Sequence, residues 1–197
     1  GCLQFTPAQT VDQLKLVINE IDYDQTGTDV AEWLEIVGVI NTSLTDVLVV
    51  FINGSDNSIY RTINLDTYLV PNSASKVTGG DGNEWDFFVV GASSISNIDL
   101  TPSGWPASDA IQNGAPDGIL IAYDSDNDGI FLSGTDVVID AVAYEPGIGG
   151  GNFSILFGTT RTPADNNTDA ASSIGRDGDD LDSDDNSVDF VYSGASG

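Results

Sequence analysis

Residues 47–65, VLVVFINGSDNSIYRTINL, read as a strand, a turn and a second strand. Val47–Ile52 is apolar at every position and rich in β-branched side chains, which fit a pleated surface. Asn53 to Ser58 is made of residues that favour turns. In Ile59–Leu65, Ile59, Arg61, Ile63 and Leu65 share one parity and Tyr60, Thr62 and Asn64 the other, so neither face is cleanly apolar. A strand apolar on both faces, as 47–52 is, has to be covered on both sides, by a second sheet and a loop or by another subunit.

The same grammar recurs on either side. Extended segments are predicted at Leu16–Glu20, Ala31–Val39, Trp85–Val90, Gly118–Tyr123, Val137–Tyr144, Phe153–Phe157 and Val188–Tyr192, separated by Gly, Asn and Asp. About nine short strands punctuated in this way predict an all-β, antiparallel sandwich or barrel. The only helical signature is Thr6-Pro7-Ala8-Gln9, with the spacing of a capping box, which predicts a helical segment from Thr6 to about Leu14. Residues 1–15 are read as an N-terminal extension and 16–197 as one domain. GIGGGN (147–152) and Thr162–Asp185 are expected to be loops, the second long and acidic, because neither has enough apolar side chain to order itself.

At 197 residues, with 40% hydrophobic residues, the chain is long enough for a substantial core. It carries 31 acidic and 5 basic residues, a formal charge of −26, which excludes binding to nucleic-acid backbones or anionic lipid by a basic footprint and points to cations as partners. Nearly all the acids are Asp, which concentrates the charge in turns. With no His, no Met and one Cys, a Ser-His-Asp or Cys-His pair and a His/Cys zinc site are excluded. No apolar run is long enough to predict a transmembrane helix. Cys2 follows Gly1 as at a bacterial lipoprotein cleavage site, and is a candidate for lipid attachment or an intermolecular disulfide, with an unpaired surface thiol as the plainer reading. Asn41, Asn53, Asn152 and Asn166 begin short N-x-S/T motifs, a pattern that a chain rich in these residues also produces by accident.

Three Asp clusters are candidate Ca2+ sites. Asp124, Asp126 and Asp128 precede Gly129 in the D-x-D-x-D-G spacing that places carboxylates around a hard cation. The twelfth loop position, a bidentate Glu in an EF-hand, is Thr135, and Asp136 follows as a further candidate ligand. The second cluster runs from Asp177 to Asp189 around Arg176, with Asp180, Asp182 and Asp184 best spaced. The third, Asp22, Asp24 and Asp29, has Glu20 and Glu32 nearby; Glu20 and Asp22 share a parity, as do Trp33 and Glu35, which would put them along one rim. A solvated Asp-rich turn is the alternative for the first cluster and a flexible acidic loop for the second. A carboxylate pair could also serve glycoside hydrolysis, and Trp33, Trp85 or Trp105 could stack on a glycan, but nothing in the sequence marks one acid as buried and protonated.

Several stretches in order, VINEIDYD (17–24), AEWLEI (31–36), FINGSDNSIYRTINL (51–65), IQNGAPDGILI (111–121), VVIDAVAYE (137–145) and RDGDDLDSDDNSVDF (176–190), resemble the lamin-tail domain of secreted and surface proteins of bacteria and archaea. The resemblance covers roughly residues 16–192. It implies an immunoglobulin-like antiparallel β-sandwich, usually non-catalytic and often attached to secreted nucleases, phosphatases or surface proteins. It transfers no catalytic residue. Relatives commonly continue beyond the point where this chain ends in SGASG, so the chain is expected to be an excised module or a stand-alone protein with a missing or shared terminal strand. The expected function is a non-enzymatic, calcium-stabilised extracellular module that self-assembles into a homo-oligomer, surface layer or filament, or adheres, secreted or at the cell surface. The alternative is an accessory binding module of a secreted hydrolase, with a glycan as ligand.

Overall fold

The computed structural model describes residues 14–114, 116–145, 156–157, 162–163, 165, 172–177, 183 and 185–193. The helix predicted at 6–14 lies outside them save for Leu14, which is buried without regular structure, and Cys2 lies outside them as well. Ten strands form two antiparallel sheets: β1 (Leu16–Asp22), β2 (Trp33–Val39), β3 (Val47–Asn53), β4 (Ser58–Asn64), β5 (Val77–Thr78), β6 (Glu84–Gly91), β7 (Asp117–Tyr123), β8 (Val137–Tyr144), β9 (Ser173–Arg176) and β10 (Phe190–Ser193). One sheet runs β10-β9-β1-β2-β6-β5 and the other β4-β3-β7-β8. A single turn of helix, α1 (Asn186–Asp189), is capped by the Asp185 side chain and leads into β10. No helix of the described residues is long and apolar enough to cross a membrane.

The sheets pack face to face. Leu16, Ile18, Ile21, Leu34, Ile36, Phe88, Val90 and Ile174 come from the larger sheet to meet Val47, Val49, Phe51, Ile63, Ile119, Ile121 and Val142 from the smaller. A bulge between Ile18 and Glu20 lets both Ile18 and Ile21 point inward and keeps Glu20 and Asp22 on the outer side with Trp33 and Glu35, their partners on β2.

The doubly apolar strand is β3, and the chain itself covers both of its faces. Val47, Val49 and Phe51 point into the inter-sheet core. Leu48, Val50 and Ile52 form a second cluster with Leu120, Ala122, Ala143, Phe131 of the β7–β8 loop and Phe157. Gly118 admits Phe157, whose ring would stand 2.6 Å from any Cβ placed there. Leu156 and Phe157 are helical, which corrects the strand expected at Phe153–Phe157; residues 153–155 lie outside those described. The register shift between Phe51 and Ile52 explains the mixed face of β4: Arg61 pairs with Phe51 on the core side, while Ile59 pairs with Ile52 on the outer side and stays exposed.

Two further corrections concern the C-terminal third. Ser173–Arg176, expected as loop, is β9 and lies between β1 and β10. The strand expected at Val188–Tyr192 begins only at Phe190, after α1. Arg176 explains why a segment so poor in apolar residues is ordered. Its side chain is 4% exposed, pairs with Asp140 at 3.2 Å and Asp189 at 3.4 Å, donates to the Ile18 carbonyl at 2.8 Å and lies over the Phe190 ring. One buried cation thus ties four strands together.

Candidate metal centre

The β7–β8 loop leaves the sandwich at Asp124, whose amide donates to the Asp46 carbonyl at 2.7 Å. The buried Asp124 carboxylate folds the loop by accepting from the amides of Asp128 at 3.3 Å and Gly129 at 2.7 Å. Gly129 takes φ +75°, a left-handed conformation that glycine adopts without steric cost. Asp128 in turn accepts from the Ile130 amide at 2.7 Å. These turns bring one carboxylate oxygen each from Asp124, Asp126 and Asp128 within 4.8 Å of one another, with Asp126 and Asp128 exposed. Among the described residues this is the group of three so gathered. Asp126 has its carboxyl raised above the usual range by desolvation and by the charges of Asp128, Asp136 and Asp124, a repulsion that a cation would relieve.

Asp136 closes the loop differently. Its two oxygens accept from the amides of Ser125 at 2.9 Å and Leu132 at 2.7 Å, so its carboxylate braces the backbone on both sides of the cluster.

The Asp22, Asp24 and Asp29 group does not converge on a point. Asp22 accepts from Trp33 Nε1 at 3.0 Å and from the Gln25 side chain, and burial pushes its carboxyl up to about 7 despite those bonds. Asp29 accepts from the Gln25 amide at 2.9 Å and from Asn113 Nδ2 at 2.8 Å. Asp24 lies near Asp29 and is raised by desolvation and then by that charge. Glu32, 1% exposed, accepts from the Ala110 and Ile111 amides; burial pushes it up to about 7, against those two bonds. Asp29 and Glu32 thereby clamp the β1–β2 turn to the segment before β7, and Asp22 braces the turn within itself. In the second cluster Asp180, Asp182 and Asp184 lie outside the described residues, while Asp185 caps α1 and Asp189 binds Arg176 and Ser183.

The three tryptophans that could stack on a glycan are half-buried, each with contacts inside the chain. Trp105 packs on the core and carries Arg61 over its ring at 5.0 Å, Trp33 donates to Asp22, and Trp85 lies beneath Lys15.

Sequence reasoning passed over one feature of the opposite end, Asp117, the first residue of β7. It is 2% exposed, and its Oδ1 accepts from the Gly54 amide at 3.2 Å. Oδ2 has no hydrogen-bond partner; the Gly114 amide lowers the carboxyl's pKa without reaching hydrogen-bond geometry. Burial, together with the charges of Glu145 and Asp56, pushes the group up to about 6. The signal was an acid opening an otherwise apolar strand, within the NGAPDG stretch. No family model matches this sequence, and neither a curated protein nor a solved structure matches it.

Proposed function

We propose that this chain is a non-catalytic, calcium-stabilised β-sandwich of the immunoglobulin-like, lamin-tail type, serving a structural or adhesive role outside the cell. The observation that carries the calcium reading is the convergence of Asp124, Asp126 and Asp128 on a loop already shaped by its own backbone hydrogen bonds. Hard carboxylate oxygens suit Ca2+, and sites of this kind in extracellular modules bind in about the 10⁻⁴–10⁻³ M range. The sequence resemblance and the two packed antiparallel sheets support the family reading. The assembly reading draws nothing from β3, which the chain covers itself; it draws on the edge strand β10, where Val191 is exposed, and on exposed Val188 just before it.

Calcium that binds only the folded state raises stability by mass action, by about 1.4 kcal/mol when the ion is at ten times its Kd. Millimolar calcium is therefore expected to raise the melting temperature by more than sodium chloride of equal ionic strength, and Asp126→Asn to remove most of the difference. An unchanged melting temperature after chelation would sink the site. Sedimentation velocity of the same samples reads assembly: large species that dissolve on chelation support a polymer, and a monomer in both conditions favours an accessory module of a secreted hydrolase.

A further inference from the structure

Two open sheet edges lie on opposite flanks of the sandwich. β10 ends the larger sheet and β4 ends the smaller, and among the described residues neither has a strand on its outer side. β10 stands on the β8 flank, where the Ile18 amide of β1 donates to Asp140 of β8 at 2.6 Å and the Asn186 side chain of α1 donates to the Ala141 carbonyl. β4 stands at the other end of the smaller sheet, three strand spacings or about 14 Å from β8. The remaining edges are less suited to pairing, since β5 has two residues and β8 is braced at Asp140 and Ala141 by Arg176 and Asn186.

The two edges differ in charge. Ser58–Asn64 holds none of the 31 acids of the chain, and its charged residue is Arg61. Among the described residues Arg61 is the basic side chain without an acidic partner. Lys15 pairs with Asp81, Lys76 with Glu84 and Arg176 with Asp140 and Asp189, while the Arg61 guanidinium lies over the Trp105 ring. Beside β10 the balance is reversed: Asp177 follows β9 and is exposed, Asp185 is half-buried at the cap of α1, and Arg176 is buried in its own ion pairs. Each edge also turns an apolar side chain to solvent, Ile59 at 42% exposed and Val191 at 39%.

An unpaired edge offers a row of amides and carbonyls to another strand. Two β10 edges would bring acid against acid, whereas β4 against β10 sets a cation beside acids and Ile59 beside Val191. We propose that β4 of one copy of this chain pairs with β10 of the next, head to tail, so that a sheet continues across the boundary. The contact deepens the assembly reading and rests on it. Because the two edges lie on opposite flanks, each pairing leaves both chains with one edge open, and the contact repeats.

Sedimentation velocity of the full chain in millimolar calcium tests it. Ile59→Glu and Val191→Lys are substitutions at exposed positions, so far-ultraviolet circular dichroism is expected to stay unchanged. Each is expected to weaken association by about tenfold or more, since it leaves an unmatched charge where the strands meet. An equimolar mixture of the two variants is expected to recover association, because each keeps the edge that the other has lost. Wild-type association that persists in both variants overturns the β4–β10 contact and leaves the assembly reading standing. Association lost in Val191→Lys and kept in Ile59→Glu overturns it in favour of a symmetric contact through β10. A wild-type chain that stays monomeric overturns both the contact and the assembly reading.

Discussion

Glu32 shows at the scale of a single residue how backbone donors hold a buried acid. Its two oxygens each receive one backbone amide, from Ala110 and Ile111, and at 1% exposure there is no water to replace either bond. Replacing it with Gln turns one acceptor into a donor that faces an N–H. Glu32→Gln is expected to destabilise the fold by about 1–3 kcal/mol at pH 8, read from urea midpoints, because a buried donor is left unsatisfied. A smaller penalty below pH 6 is expected, where the glutamic acid is itself protonated. A neutral effect at pH 8 would show that these bonds do not hold the turn. The sequence marked Glu32 as an acid near a cluster; its partners, nearly eighty positions away, were not legible, since long-range pairing is set by the fold.

At the scale of elements, β3 and its neighbours show how a strand apolar on both faces is buried within a single chain. On the outer face of the smaller sheet, Phe131 and Phe157 cover the cluster around Leu48, Val50 and Ile52, and Phe157 sits where Gly118 leaves room. Gly118→Ala would drive a methyl into the Phe157 ring at 2.6 Å, and overpacking of this kind costs about 1–3 kcal/mol. Phe157→Ala would leave a cavity at a cost of about 3–5 kcal/mol. The double variant is expected to cost clearly less than the sum, since the methyl then enters the vacated space. Strict additivity in thermal or urea unfolding would show that the two do not touch in solution. The expected strands at 16–20, 47–52, 59–65, 85–90, 118–123 and 137–144 all appear, because each has enough apolar or β-branched residues to declare itself. β9 did not declare itself: SIGR has one large apolar side chain, and its order comes from β1, β10 and the buried ion pairs of Arg176.

For the whole molecule, the charge of −26 and the buried acids set the response to pH. Burial pushes Asp22 and Glu32 up to about 7, and Glu35 and Asp117 up to about 6. In the unfolded chain such groups titrate near 4. Between those values the folded state holds protons that the unfolded state releases, so stability falls as pH rises through 6–7. Other acids work the other way, Asp86 and Asp189 among the buried ones. Burial tends to raise Asp86 and Asp189, but hydrogen bonds from Ser73 and Phe87 to the first, and from Ser183 with the Arg176 charge to the second, outweigh it and hold both below the usual range. Their contribution is lost as pH falls below about 4. With calcium chelated, the melting temperature is therefore expected to peak near pH 5 and to be lower at pH 8. A rise from pH 5 to pH 8 would contradict the raised values.

The sequence by itself determined an all-β chain, most of its strands, its acidic character, and the Asp124–Asp128 turn. Each of these is written in local pattern: apolar runs, turn residues, and carboxylates spaced along a few consecutive positions. Only the tertiary structure decided which strands share a sheet, that Phe131 and Phe157 cover the outer face of β3, that Asp29 and Glu32 accept backbone amides while Asp22 binds the Gln25 and Trp33 side chains, and that Asp117 is buried with an oxygen unpaired. Those outcomes depend on which groups water is removed from, and desolvation belongs to the packed molecule and not to any short stretch of it.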